Sequence, residues 1–515
     1  MNKRKFLYNT SAVLIIFSIN KVLGFFRESL IAAGYGASVS SDAFYFALSI
    51  TSLLFIVTGA FSNIMKPIII KIQNEKGIKE GEEFFSSLIN FITILLVMAC
   101  VLLAIFAKQI ITVFGYGFTA EKIQLTVILF RISLISSFSV CLSSIYASYF
   151  DCRKMFVSSA FDAYFFNIIT ISFLFLFANS DNIITFAYVY AAGEFFRIIY
   201  FNIILLKKRF HHNLRTTGFH DREVRHTGKM ALPLLAGNLS GLFNTMIDRI
   251  LASTLKIGSI SALNYADKLT SIFTGLFLTA IMKVVFPSLA ETSLVDQTEY
   301  KRKTSQILNF TLFLALPVVT AFIVFARKLV IVIYEHGAFT SSDTTVVSEI
   351  VIIYSIAMFF SSLNLTMGKF FYINKQTKII LISGLIGFVV NVTFNLILIR
   401  PYQQNGLAIA TLISSFLRTL FMFYIMVFRN KSLDLAYNLK SFLKSLLSTA
   451  VMISGAFLMS RLIDSYMFSG KVMHEILGMM VIAFTGAVIY AGIQYLLKSE
   501  ELNYFLPKRW KNLKG

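Results

Sequence analysis

The first long apolar segment of the chain contains three charged residues whose types suit the binding of an anion. Lys21, Arg27 and Glu28 stand between apolar runs that begin at Ala12 and Ala43. A charge at the bilayer centre costs about 3 kcal/mol on insertion scales, so such residues usually face a bundle interior or a water-filled cavity. Lys21 and Glu28 are two helical turns apart and, with Arg27 less closely aligned, can share one face. The pattern predicts a charged, aqueous cavity inside a transporter.

A second charged pair, Asp267 and Lys268, stands near the start of a later apolar segment. Lys21, Arg27 and Lys268 would place three cations around one cavity, and Arg27 can bind a phosphate group through two parallel hydrogen bonds. Three alternatives remain open. Arg27 and Glu28 can neutralise each other, Lys21 can extend to the membrane surface, and Asp267 and Lys268 can form a pair outside the bilayer.

A different set of residues suits a monovalent cation such as Na⁺. Asp248 and Arg249 are adjacent in an apolar segment, and neighbouring helical residues do not face each other. Asp248 can therefore face an ion, with oxygen ligands from Asn391, Asn395 and Thr411. Hard cations take such carboxylate and amide oxygens. The alternative is hydrogen bonding by asparagine between membrane helices.

The composition indicates an all-α, polytopic membrane protein. Of 515 residues, 57% are hydrophobic and 14% are charged, and the mean hydropathy is +0.73. A soluble protein would carry roughly a quarter charged residues. The net charge of +21 is explained by basic loops on the cytoplasmic side and does not indicate nucleic-acid binding. Three cysteines are too few for a metal site or disulfide framework, and no catalytic constellation indicates an enzyme.

Apolar segments of about 20 residues, the length of a membrane span, occur fourteen times. They start near Thr10, Ala43, Phe84, Leu125, Phe156, Ile183, Gly228, Ser261, Ser305, Thr344, Lys378, Gly406, Ser441 and Met473. Lysine and arginine concentrate in the even-numbered loops and at both ends of the chain. The positive-inside rule then places both termini in the cytoplasm.

A weak internal repeat divides these segments into two groups. Arg27, Gly36 and Asp42 have the same spacing as Arg249, Gly258 and Asn264, offset by 222. Such a repeat predicts two parallel six-helix lobes with the substrate site between them. We therefore expect an N-terminal lobe over 1–206, a basic cytoplasmic linker over 207–227, a C-terminal lobe over 228–430, and two further helices with a basic tail over 431–515.

Seven short motifs stand in order along the chain: Val22–Glu28, Ser41–Phe44, Gly59–Ser62, Asn264–Leu269, Phe286–Leu289, Glu335–Thr340 and Gly406–Thr411. As an ordered set they resemble the MurJ/MviN lipid II flippases of the multidrug/oligosaccharidyl-lipid/polysaccharide exporter superfamily. The resemblance implies fourteen helices: two six-helix lobes around a cationic cavity, and two C-terminal helices that form a lipid-accessible groove.

The resemblance also implies roles for individual residues. Lys21, Arg27 and Lys268 match the cavity cations of the family. Glu28 and Asp42 match acidic residues of its motifs, and we add Asp267 to this substrate-binding set. Asp248, Asn391, Asn395 and Thr411 are similar to a cation site of the family. The family often has an arginine before the Gly59–Ser62 motif, where this chain has Leu53 and Leu54.

These observations lead us to expect a flippase for lipid II, a lipid-linked peptidoglycan precursor, in the bacterial inner membrane. A flippase for another polyprenyl-pyrophosphate-linked glycan, such as a capsule repeat unit, is the alternative. A multidrug/cation antiporter is less favoured, because its cavity would be acidic. Expected partners are the glycan substrate, membrane lipids and the cell-wall synthesis machinery, and Na⁺ is the one expected ion.

Overall fold

The fold is helical, and the computed structural model contains no strand among the residues that it describes. Those residues are 3–177, 182–208, 210, 213, 224, 227, 243–273, 289, 297–466 and 472–504. We label the helices α1 Lys3–Tyr35, α2 Val39–Thr51, α3 Leu54–Glu75, α4 Ile78–Ile105, α5 Ala107–Phe114, α6 Ala120–Cys152, α7 Phe156–Ala160, α8 Asp162–Phe177, α9 Ile183–Lys207, α10 Ser259–Phe273, α11 Gln297–Val324, α12 Ala326–Tyr334, α13 Ser341–Ile373, α14 Thr377–Tyr424, α15 Leu435–Tyr466 and α16 Val472–Leu496.

Ten helical stretches of the described residues are long and apolar enough to cross a membrane. The charged helix α1 is not among the ten. Each predicted span starts inside an observed helix, apart from the one near Gly228, which lies outside the described residues. The all-α, multi-pass class is thus confirmed, and the count of fourteen stays a prediction.

The label α14 covers 48 residues that form two helices joined at a kink, and these correspond to two of the predicted spans. The kink lies at Gln403, which has φ 50 and ψ −129, two residues after Pro401. Proline lacks an amide hydrogen and clashes with the preceding turn, so a helix breaks or kinks there. The bend separates residues 377–402 from a second half that continues into a π-helical turn at Ile425–Arg429.

The chain forms two compact units. One contains Met1–Tyr265 and His336–Asp343, and the other contains Ala266–Glu335 and Thr344–Gly515. In the first unit, α6 packs against α2, α3 and α9, and α8 packs against α1 and α9. In the second unit, α15 packs against α11 and α16. The domain boundaries expected from the sequence differ from these units and stay predictions.

Two turns of the backbone recur at the spacing that the predicted repeat of two lobes implies, and the pseudo-symmetry of the lobes stays a prediction. Lys154 and Lys375 are 221 positions apart, and both adopt the left-handed conformation, with φ of 59 and 56. Each stands in a turn closed by the same hydrogen bond, from Met155 N to Phe150 O and from Gln376 N to Phe371 O, both 2.9 Å.

Helix lengths recur in the same order as the two turns. Helices α6 and α13 both have 33 residues, and α4 and α11 both have 28. The predicted glycine pair also recurs structurally, because Gly36 and Gly258 both have positive φ, 57 and 89. A β-carbon at Gly258 would lie 2.7 Å from the Ala37 carbonyl oxygen, so glycine is needed there for space as well as for conformation.

Candidate functional site

Arg27 lies in the C-terminal half of α1 and is fixed by side chains from α8 and from its own helix. Its Nη1 donates to Oδ1 of Asn167 over 2.8 Å, and its Nη2 donates to Oε1 of Glu28 over 2.8 Å. The guanidinium carbon lies 4.6 Å from the centre of the Phe166 ring and 5.8 Å from that of Tyr190. Hydrogen bonds and cation–π contacts thus hold one defined orientation of a charge that apolar surroundings would otherwise disfavour.

Glu28 is more deeply buried than Arg27, with side-chain exposures of 7% and 11%. Its second oxygen accepts a hydrogen bond from the Tyr45 hydroxyl over 3.0 Å. The local ion pair that the sequence left as an alternative is therefore formed. It belongs to a larger network that joins α1, α2 and α8 and occupies both Nη atoms of Arg27 and both carboxylate oxygens of Glu28, while Nε of Arg27 is buried without a hydrogen-bond partner.

Lys21 lies nearly two turns before Arg27 on α1, and its side chain is exposed. Its Nζ lies 5.5 Å from the centre of the Phe17 ring. This exposure fits the alternative in which a flexible lysine extends to a polar surface. A role in substrate binding stays a prediction for this residue.

Asp42 is 1% exposed and accepts four hydrogen bonds at the start of α2. Its Oδ2 accepts from Lys122 Nζ over 2.9 Å and from Gly258 N over 2.8 Å. Its Oδ1 accepts from both the amide and the hydroxyl of Ser261, each over 2.8 Å. Ser261 is in the first turn of α10, so Asp42 acts as a cap for a helix far away in sequence. The structure gives Asp42 a connecting role, and substrate contact by it stays a prediction.

Asp267 and Lys268 are exposed side chains on α10 and fall in the second unit. A shared cationic cavity of Lys21, Arg27 and Lys268 is therefore a prediction that remains to be tested.

Three of the four residues predicted to bind a cation are brought together in α14. Asn395 Nδ2 donates to Asn391 Oδ1 over 3.1 Å, and Asn391 Nδ2 donates to Thr411 Oγ1 over 3.3 Å. Both asparagines are buried, with exposures of 1% and 0%. Their amide oxygens are of the type that hard cations accept, while the hydrogen bonds among them also fit the alternative of helix-to-helix bonding.

The fourth residue, Asp248, is 7% exposed and belongs to the first unit. Its neighbour Arg249 donates to the Ile260 carbonyl oxygen over 3.3 Å. Arg249 is thus engaged with the backbone of α10, as expected if neighbouring helical residues point apart.

The sequence reasoning missed a buried charged cluster beside Arg27. Arg197 of α9 pairs with Asp162 of α8, and it also pairs with Glu194 over 2.7 Å. Its signal in the sequence is the one that pointed to Lys21 and Arg27, namely charged residues inside an apolar segment. Lys122, which the sequence did not single out, lies in the first turn of α6 and is 8% exposed.

An apolar cavity of ≈ 580 Å³ lies within the second unit, between α11, α15 and α16. Its walls include Pro317, Phe325, Ala456, Ile482 and Tyr490. Such a lining suits a hydrocarbon chain, because it offers apolar surface and few hydrogen-bonding groups.

Ten helical stretches that can cross a membrane among the described residues, charged networks inside these helices and an apolar cavity beside the last helices are the features of a multi-pass membrane transporter. The family model described as "Lipid II flippase MurJ" matches residues 31–477, which is most of the chain. The chain therefore belongs to the MurJ family.

Individual relatives agree with this assignment. The chain is 27% identical over 516 residues to a "Probable lipid II flippase MurJ" of Buchnera aphidicola, covering 98% of this chain and 99% of the relative. It is 26% identical to the "Lipid II flippase MurJ" of Thermosipho africanus, covering 85% and 89%.

Solved structures give the same result for the fold. A structure described as "Lipid II flippase MurJ, inward closed conformation" matches with a TM-score of 0.76 and 26% identity, covering 94% of this chain and 99% of that one. An inward-facing multidrug resistance MATE family transporter of the MOP superfamily matches with a TM-score of 0.68 and 12% identity, covering 80% and 99%. The second likeness concerns the fold alone.

Proposed function

We propose that this protein moves lipid II from the cytoplasmic to the outer leaflet of the bacterial inner membrane by alternating access, with both termini in the cytoplasm. The relatives that match along nearly their whole length are named for this substrate. The observation that carries the proposal is Arg27. It is a cation inside a membrane helix, oriented by Asn167 and Glu28, as a phosphate-binding arginine requires.

In this proposal the pyrophosphate of the substrate binds Arg27, together with Lys21 and Lys268. Glu28 stabilises the guanidinium while the cavity is empty, and a pyrophosphate with greater negative charge takes its place as the partner of Arg27. The exchange keeps the buried cation paired at each stage, which avoids the several kcal/mol that an isolated buried ion costs. Asp42 and Asp267 would act near this path, and cell-wall synthesis enzymes would receive the product.

The apolar cavity between α11, α15 and α16 is our proposed site for part of the polyprenyl tail. A hydrocarbon chain that occupies it stays out of water while the charged headgroup crosses between the lobes. Rocking of one lobe against the other would then expose the headgroup on the outside. A membrane potential that is negative inside contributes about 2.3 kcal/mol per charge per 100 mV to inward movement of a coupled cation.

Na⁺ is our proposal for that cation, with Asp248, Asn391, Asn395 and Thr411 as ligands. Their oxygens fit a hard monovalent ion, which would stabilise whichever lobe arrangement binds it more tightly. The test is distance reporting between spin labels on the two lobes with and without Na⁺. We expect a Na⁺-dependent change that is lost in Asp248→Asn. A wild-type protein that does not respond to Na⁺ would leave only hydrogen bonding among these residues.

The test of the function is complementation of bacteria depleted of their lipid II flippase. The wild-type chain should restore growth, Arg27→Ala should not, and Arg27→Lys should be intermediate because it keeps the charge without the two-pronged geometry. Arg131→Ala is a matched control, since Arg131 is an exposed arginine on another membrane helix, where it contacts the Ala104 carbonyl oxygen.

Growth is compared at equal membrane abundance of each variant, because Arg27→Ala leaves Glu28 buried without its cation and is expected to lower the stability of the protein. Normal growth with Arg27→Ala would remove Arg27 from the substrate site. Failure of the wild-type chain at normal abundance, combined with restored export in a strain that lacks a capsule-unit flippase, would assign the protein to a different lipid-linked glycan.

A further inference from the structure

Arg418 lies in the second half of α14, and its surroundings differ from those of the other buried arginines. Its side chain is half-buried, and its Nε, like that of Arg27 and Arg197, is buried without a hydrogen-bond partner. No hydrogen bond or ion pair to its guanidinium is found within the described part of the chain. A cation left in this way is costly unless it reaches water or an anion.

The depth of Arg418 in the membrane follows from its contact with the first half of α14. A β-carbon at Gly387 would lie 2.3 Å from Cδ of Arg418, so the arginine stem occupies the space that this glycine leaves open. Gly387 is ten residues from the start of α14 at Thr377, a rise of about 15 Å. That is half of the roughly 30 Å hydrocarbon core. Phospholipid headgroups stand at the membrane surface, so they do not supply an anion at this depth.

The internal repeat shows what is missing around Arg418. The position 221 residues earlier is Arg197, which pairs with Asp162 and Glu194. The positions 221 residues after these two acids are Ser383 and Ser415. Both serines are buried, with exposures of 0% and 6%.

The two serines do not replace the lost charges. Ser383 Oγ has no hydrogen-bond partner, and Ser415 Oγ lies 3.3 Å from the Ser361 hydroxyl. The second lobe thus has an arginine at the position that corresponds to Arg197. It has serines in place of the two carboxylates that neutralise Arg197 in the first lobe.

We propose that Arg418 binds a phosphate group of the transported lipid at mid-membrane depth, as an anion-binding residue of the second lobe. This inference rests on the proposed function, in which the headgroup of a pyrophosphate-linked substrate passes that depth. The uncompensated guanidinium offers donors in a planar fork that fits phosphate oxygens, and the nearby Ser383 hydroxyl can donate a further bond.

The sharpest test places an acid where the first lobe has one. Glu194 and Arg197 are at positions i and i+3 of α9, and residues 415 and 418 are at positions i and i+3 of α14. Ser415→Glu should therefore neutralise Arg418 internally and abolish complementation, whereas Ser415→Gln, of equal size and uncharged, should retain it. Equal behaviour of the two variants at equal membrane abundance would overturn the proposal.

A binding measurement separates this inference from the identity of the lipid. In detergent, inorganic pyrophosphate and farnesyl pyrophosphate should raise the melting temperature of the wild-type protein. Arg418→Gln should weaken their apparent affinity about tenfold to a hundredfold, the usual effect of a charged hydrogen bond. Arg418→Lys should recover part of it.

Unchanged affinity in Arg418→Gln would refute anion binding by this residue, even if complementation had confirmed lipid II transport. Stabilisation by phosphatidylglycerol and not by pyrophosphate would assign the site to phospholipid and also refute the proposal. Failure of the wild-type chain to complement, with Arg418-dependent pyrophosphate binding intact, would contradict the proposed function alone.

Discussion

The helix pair α8–α9 and the two halves of α14 follow the same kind of turn, and each pair contains one buried or half-buried arginine. The two arginines differ in whether acidic side chains neutralise them. Both helix pairs begin after a lysine with positive φ, at Lys154 and Lys375. In the first pair, two carboxylates neutralise Arg197. In the second pair, serines occupy the corresponding positions beside Arg418. Two segments with the same backbone turn can thus differ in charge: the arginine of one is neutralised by carboxylates, and the arginine of the other can still donate hydrogen bonds to a ligand.

The difference separates charges that stabilise the fold from charges that are available to a ligand. An arginine between two acids contributes to packing, because its removal leaves unpaired buried carboxylates. An arginine without an acid contributes nothing comparable to folding, and its guanidinium stays available to bind an anion. Arg27 lies between these cases, because its partner Glu28 is a single residue that another anion can replace.

Arg197→Leu should give the largest effect on stability. It leaves Asp162 and Glu194 buried without their cation and should cost about 3–5 kcal/mol. The melting temperature in detergent and the amount of protein in the membrane should both fall sharply. Arg418→Leu is the matched comparison: it removes an unpaired charge and should leave the melting temperature equal or higher. A similar fall in both variants would contradict the distinction between the two helix pairs.

Glu194→Ser makes the first pair more like the second and should have a smaller effect. Arg197 keeps Asp162 as its partner, so we expect a loss of about 1–3 kcal/mol, typical of a charged hydrogen bond. The measurement is again the melting temperature, with Glu121→Ser as a control on an exposed acid in the first turn of α6. If Glu194→Ser is as damaging as Arg197→Leu, the two acids do not act as independent partners.

Lys154→Gly and Lys375→Gly should give the smallest effects and test whether the two turns are equivalent. Glycine adopts positive φ without steric cost, so each change should stabilise the protein by up to about 1 kcal/mol. The two gains in melting temperature should agree. Lys440→Gly, inside α15, should instead destabilise by about 1 kcal/mol. A gain at only one turn would show that the repeat does not extend to the energetics of the turns.

The sequence predicted the class of fold because the apolar segments that identify membrane helices are continuous stretches of the chain. Long apolar segments identify the helices, and Pro401 marks the boundary between the two halves of α14, where Gln403 has a non-helical backbone. The ion pair of Arg27 and Glu28 was also accessible, since the residues are adjacent. The repeat was found at Arg27, Gly36 and Asp42, where glycine conformation fixes the pattern.

Other parts of the site depend on pairs that are distant in sequence. The partners of Asp42 are 80 and 216 or more residues away, and no spacing rule connects them. Asn167, which orients Arg27, is 140 residues away and is one asparagine among many. The turns at Lys154 and Lys375 align the two halves of the chain with an offset of 221 residues. Only this alignment shows that Arg418 corresponds to Arg197 and lacks its acidic partners.

The most direct test of the central claim is translocation of lipid II by the purified protein in liposomes. Lipid II is placed in the inner leaflet, and its arrival outside is measured by an added enzyme that modifies only accessible headgroups. The wild-type protein should accelerate arrival, and Arg27→Ala, compared at an equal amount of folded protein in the liposomes, should reduce the rate at least about tenfold. No acceleration by the wild-type protein, or the same rate with Arg27→Ala, would contradict the account.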